Sequence, residues 1–211
     1  MPEEKVFSTA DLMKETIIPM TRTIKGPFLA FVPEEHRGPP SIFVSHAWSA
    51  HVYTPAYKFG TLQAVSPQGI AGIKEEFVWI DMVCYNQHSD FQIAPDMAQV
   101  IGKIGKIAFP ITHTPLFDRI WCLWELLCAA ESGVETQFCA APGYRTDKRL
   151  MVNNFVNAFR SVERAQSTEP EDKRVILGEI DSHFGGLGAA NLYITELMDK
   201  GLSHRWFEKY R

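Results

Sequence analysis

One carboxylate stands alone inside an apolar helix. The segment Ile120-Trp121-Cys122-Leu123-Trp124-Glu125-Leu126-Leu127-Cys128-Ala129-Ala130 is apolar around nearly its whole circumference, and Glu125 is its only ionisable carboxylate. Trp121 lies one turn earlier, so the indole and the carboxylate share a helix face. Burying an ionised carboxylate without a partner is expensive. Sites that tolerate this expense tend to be functional, because an aromatic wall shifts the pKa and fixes the group in place. The plain alternatives are a salt bridge to a neighbour such as Arg119, or a narrow exposed stripe.

Other polar groups gather at predictable places. The apolar run Ser41-Ile42-Phe43-Val44-Ser45 continues into His46-Ala47-Trp48, the run Phe77-Val78-Trp79-Ile80 ends at Asp81, and Lys106–Ile111 ends in Thr112-His113. Short apolar runs of this kind suit strands buried on both faces of a parallel sheet. Thr136–Ala140 is a fourth candidate strand. Ligands of open parallel sheets bind outside the carboxyl ends of the strands. Any single Ser or Asp there also serves as an ordinary turn or cap residue; agreement among three strands strengthens the functional reading.

The elements that must position these residues follow from spacing. Room for helices exists at about 54–66, 94–104 and 118–132, and the alternation predicts right-handed βαβ units in a doubly wound α/β sheet. Asp118 is placed to cap the third helix. Residues 1–40 read as an N-terminal extension, with a helix starting near Ser8-Thr9-Ala10-Asp11 and running to about Met20. Residues 41–211 read as one domain, with a mostly helical part over 148–211 in which Leu150, Phe155, Ala158, Phe159 and Val162 recur at helical spacing. There Pro170 opens a helix, and Gly185-Gly186-Leu187-Gly188 breaks it before a last one through Leu197. No strand precedes those glycines and no Gly-Lys-Ser/Thr follows, so they read as a connection rather than a phosphate loop.

Composition narrows the function classes. The chain has 211 residues, 45% hydrophobic and 22% charged, which suits one substantial core. A net charge of -4 and the absence of a Lys/Arg run leave no electrostatic footprint for nucleic acid. No apolar run is long enough for a membrane span, and the acidic start Met1-Pro2-Glu3-Glu4-Lys5 does not resemble a secretory signal. A cytoplasmic address is the default expectation. The cysteines, Cys84, Cys122, Cys128 and Cys139, have no zinc-site spacing, so no metal is expected and buried reduced thiols are.

Three segments carry a resemblance. Phe43-Val44-Ser45-His46 resembles the first box of Toll/interleukin-1 receptor (TIR) domains, and Trp121-Cys122-Leu123-Trp124-Glu125-Leu126 resembles the TIR motif Trp-Cys-x-x-Glu-Leu. Trp79-Ile80-Asp81-Met82-Val83-Cys84-Tyr85-Asn86-Gln87 is similar to the Trp-Ile-Asp-x-x-Cys-x-Asn-Gln signature of fungal heterokaryon-incompatibility (HET) domains. Arg119, Trp121 and Glu125 match the later Arg-x-Trp-x-x-x-Glu of that group. The resemblance covers roughly residues 41–140. It departs where the TIR Arg-Asp…Pro-Gly loop is replaced by Cys84 to Pro95, and where Trp124 stands in place of the Gln frequent in HET domains.

The resemblance implies a flavodoxin-like three-layer sheet and, in the enzymatic members, cleavage of the nicotinamide–ribose bond of NAD, in signalling or defence. NAD is then the substrate, with no tightly bound cofactor. The catalytic Glu of the motif falls on Glu125. Ser45, His46, Asp81 and Asn86 become candidates for orienting ribose and phosphates, and Trp48 or Trp121 for stacking on a base. Members of the group also act as non-catalytic modules through self-association, and fold alone does not license an enzyme. Another N-glycosidic enzyme, such as a nucleoside deoxyribosyltransferase, is a third reading.

Overall fold

The computed structural model describes residues 8–49, 77–88, 93–111, 116–140 and 159–203. Its centre is a four-stranded sheet of β1 (Pro40–Val44), β2 (Phe77–Trp79), β3 (Lys106–Ile111) and β4 (Glu135–Ala140). All pairs are parallel and the order is β2-β1-β3-β4. The direction of winding therefore reverses between β1 and β3, the place where open α/β sheets leave a crevice. Phe43 pairs with Ile107 and Val44 with Ala108, after which β1 ends. β3 runs on to Ile111 beside β4. Pro110 lies past the last β1 partner found among the described residues, a place where a strand tolerates proline.

Alternation along the strands separates two buried faces. Phe43, Ile107 and Phe109 join a cluster with Met97 and Ile101 of α4 (Ile93–Ile104) and Leu123 and Leu127 of α5 (Ile120–Glu131). Ile42, Val44 and Ala108 form a separate cluster on the opposite face. Burial on both faces is what a parallel sheet requires. Each fully buried Leu, Ile or Phe contributes about 1.5–3 kcal/mol.

The segment expected as an N-terminal extension packs onto that edge. Ser8 caps a helix that runs through α1 (Thr9–Leu12), a π-helical stretch Met13–Ile17 and α2 (Ile18–Thr21); the Asp11 side chain completes a capping box. Met13 and Ile17 cluster with Ile80 and Met82, and Trp48 lies against them. The Ala10 N–H donates to the Trp48 carbonyl at 2.8 Å.

Two local expectations need correction. The second strand stops at Trp79, and Asp81 opens a short helix, α3 (Asp81–Cys84). Asp118 does not cap α5: the N-cap is Arg119, with no side-chain cap bond, and Asp118 closes the 3-10 turn Leu116–Asp118. The start of α5 is secured by backbone instead. Ile120 N–H donates to the Gln166 carbonyl at 3.0 Å, and Gln166 N–H donates to the Asp118 carbonyl at 2.6 Å. This bridge from a distant segment replaces the local cap.

The C-terminal part contributes α6 (Pro170–His183) and α7 (Leu187–Ser203). Gly185 and Gly186 take positive φ, 71° and 109°, and separate them as the glycine cluster predicts. The last helix continues past Leu197. Trp124 is almost fully buried and meets His183 and Phe184 edge-on, so the residue that departs from the HET pattern docks the C-terminal helices. Val162–Arg164 is a 3-10 turn rather than part of a longer helix. The expected helix at 54–66, Thr112-His113, and the stretch holding Leu150, Phe155 and Ala158 lie outside the described residues.

Candidate active site

Three chain segments end at the same sheet edge and enclose a cleft of about 260 Å³. His46 and Trp48 follow β1, Asp81 follows β2, and Trp121 and Glu125 stand on α5. Five of the seven residues singled out by sequence thus line one cavity. Ser45 lies beneath it, fully buried beside Glu125 and Cys122.

Asn86 does not belong there. Its Nδ2 donates to the Lys25 carbonyl at 2.9 Å and its Oδ1 accepts from His88 N–H at 3.1 Å. Both ends of the amide are committed to backbone, so Asn86 braces a loop against the N-terminal segment.

Glu125 is only 6% exposed, and among the described residues it has no ion-pair partner. The salt bridge to Arg119 does not form: that guanidinium donates from Nη2 to Thr168 Oγ1 at 2.8 Å. Burial pushes the Glu125 carboxyl well above the usual carboxylate range; the Ser45 hydroxyl opposes the shift and the Asp81 charge adds to it. In the free protein the group therefore holds its proton well past the pH at which an ordinary glutamate loses it.

Asp81 organises the opposite wall. Its Oδ2 accepts from Trp48 Nε1 at 2.7 Å, its Oδ1 accepts from Met82 N–H at 2.7 Å, and Oδ1 lies 3.4 Å from His46 Nδ1. Burial lowers the His46 pKa against the pull of Asp81, so the imidazole is neutral. With Nδ1 turned toward Asp81, the other nitrogen, Nε2, is buried without a hydrogen-bond partner among the described residues. Buried polar atoms left unpaired are rare and point to a missing ligand or solvent.

Sequence reasoning missed most of the third wall, of which only Arg119 was named, as a motif match. Arg119, Thr168, Glu169 and Asp172 line the cleft from the junction of α5 and α6, and Asp172 Oδ2 accepts from Trp121 Nε1 at 3.0 Å. Thr168 to Asp172 carried only the signal of a helix start, because their partners lie some fifty positions away in the chain. Tyr85 and Gln87, inside the quoted HET-like signature, also line it.

Cys122 faces the cleft but is a poor nucleophile. Burial raises its pKa well above the ordinary thiol value and Glu125 adds to the effect, so the reactive thiolate is suppressed. Cys84, Cys122 and Cys128 are free thiols. Among the described residues no His, Cys, Asp or Glu group is arranged to hold a metal ion, and no helix is long and apolar enough to cross a membrane.

Fold and site together define an α/β protein with a carboxylate-bearing cleft at the reversal of a parallel sheet. Comparison with family models, with curated proteins and with solved structures finds no match to this chain.

Proposed function

We propose that this protein is a TIR/HET-like nucleosidase that cleaves the bond between nicotinamide and ribose in NAD. The strand order β2-β1-β3-β4 is the beginning of the flavodoxin-like order, and it supports the placement drawn from the motifs. The observation that carries the proposal is Glu125: a buried carboxyl without an ionic partner among the described residues, one helical turn from Trp121 in a cleft at the strand ends.

The chemistry suits such a group. In the reaction the glycosidic C–N bond breaks and its electron pair moves to the pyridinium nitrogen. The base leaves as neutral nicotinamide, so no acid is required. Positive charge develops on the ribose, and a pre-positioned carboxylate in a water-poor site stabilises it. The cationic ring entering beside Glu125 favours the ionised carboxylate and offsets the effect of burial. His46 Nε2 is positioned to exchange hydrogen bonds with ribose hydroxyls, Ser45 supports Glu125 from beneath, and Trp48 and Trp121 offer flat walls to the base. Water then adds to the ribosyl cation and gives up its proton to Glu125, which passes it to solvent.

The test is nicotinamide release from NAD at high protein concentration, where self-association through TIR-like surfaces would assemble the enzyme. Wild type should release nicotinamide, and Glu125→Gln should lower the rate by at least about 10²–10³-fold, the cost of losing one pre-organised electrostatic group. Undiminished release by Glu125→Gln would refute the assignment. No release by wild type under assembling conditions would favour a non-catalytic module.

A further inference from the structure

We propose that Asp172 is a positioning residue that holds the Trp121 indole as a fixed wall on which the nicotinamide ring of NAD stacks. This rests on the nucleosidase reading of the cleft and adds to it a residue outside the motifs.

Two indoles that line the cleft are held in the same way. Trp48 Nε1 donates to Asp81 Oδ2 at 2.7 Å, and Trp121 Nε1 donates to Asp172 Oδ2 at 3.0 Å. The partners are 33 positions apart in the first pair and 51 in the second, so neither bond is a by-product of local helix geometry.

The bond acts on a torsion. The outer torsion of a tryptophan side chain is broad and roughly two-fold. An indole free to choose between the two orientations loses that freedom when a ring stacks on it, and the loss weakens binding. A hydrogen bond at Nε1 makes the choice beforehand. A pyridinium ring stacked on the held face gains cation–π attraction. Its glycosidic bond then lies toward Glu125, which shares that face of α5 one turn on.

The helix that carries Asp172 is fastened without it. Gln166 N–H donates to the Asp118 carbonyl at 2.6 Å, Ile120 N–H to the Gln166 carbonyl at 3.0 Å, and Arg119 Nη2 to Thr168 Oγ1 at 2.8 Å. Ile176 and Ile180 of α6 are fully buried. These contacts dock the start of α6 against the start of α5. What Asp172 adds is a bond to a side chain of the cleft wall, so it orients a ring rather than a helix.

The experiment measures NAD cleavage by the full chain and by variants at a half-buried helical position where alanine preserves helix propensity. Asp172→Ala should raise KM for NAD by about three- to tenfold, the cost of ordering one side chain on binding, and leave kcat unchanged within error. Asp172→Asn, which keeps an oxygen acceptor for the indole, should keep the wild-type KM. In a Trp121→Phe background, which has no indole N–H, Asp172→Ala should add nothing further. An unchanged KM in Asp172→Ala, an equal rise in Asp172→Asn, or the same rise in the Trp121→Phe background overturns the positioning role and leaves the nucleosidase reading intact. Absence of nicotinamide release by wild type refutes the nucleosidase reading instead. Quenching of tryptophan fluorescence by the N-methylnicotinamide cation, which has no glycosidic bond to cleave, then decides the positioning role separately. Saturable quenching that weakens in Asp172→Ala and persists in Asp172→Asn upholds it; equal quenching in wild type and Asp172→Ala, or no saturable quenching in wild type, overturns it.

Discussion

The two ends of the chain's apolar core treat polar groups in opposite ways. On α6 and α7 the polar side chains lie at the surface and satisfy one another. Arg174 Nε donates to both Glu171 oxygens at 3.0 Å, both residues are exposed, and Ile176, Ile180, Ala190 and Ile194 face inward with no exposure. At the carboxyl edge of the sheet, Ser45, His46 and Glu125 are buried, Glu125 has no ion-pair partner and His46 Nε2 no hydrogen-bond partner among the described residues. The first arrangement maximises stability at little cost. The second spends stability on groups whose partners come from elsewhere, and this contrast separates a functional edge from scaffold.

That contrast predicts unequal responses to mutation. The largest loss of stability should come from scaffold: Ile180→Ala removes a fully buried side chain and should destabilise by about 2–5 kcal/mol in denaturant melts. The protein that remains folded should keep its kcat.

Glu125→Gln should do the reverse, lowering turnover while raising stability in alkaline buffer. The folded carboxyl titrates above its ordinary value of 4.5, so its favourable contribution is complete below that pH and is lost as pH rises through the shifted value. Glutamine does not titrate. Thermal melts of the two proteins should therefore diverge with increasing pH, with the variant higher.

His46→Gln should show the opposite pH dependence and a smaller effect on turnover. The native imidazole resists protonation below its ordinary 6.5, so wild type loses stability as pH falls from there toward the lowered native value. The variant should be less sensitive to acid over that interval, and thermal melts at successively lower pH should show wild type falling faster. Arg174→Ala, at the exposed ion pair, should leave both the melting temperature and turnover unchanged within error.

Much of the fold was legible because parallel strands announce themselves as short apolar runs. The runs Ser41–Ser45 and Lys106–Ile111 placed β1 and β3 within a residue, and the isolation of Glu125 in an apolar segment marked α5. What sequence could not supply were contacts made across long separations. The start of α5 is held by Gln166 rather than Asp118, and Asp172 fixes Trp121; neither has a local signature. Asn86 misled for a related reason. It sits in a motif beside true cleft residues, but a one-residue step along a loop turned its amide toward Lys25. Trp124, at the position where HET domains often carry Gln, has a packing role here and meets Phe184 edge-on.

The most direct test is the pH dependence of nicotinamide release by wild type and Glu125→Gln. Catalysis by an ionised carboxylate whose pKa is raised by burial predicts an acid limb in wild-type kcat/KM, centred above the ordinary glutamate range. Glu125→Gln should leave only a residual rate without that limb. An acid limb retained at the same position in Glu125→Gln, with the rate undiminished, would contradict the account.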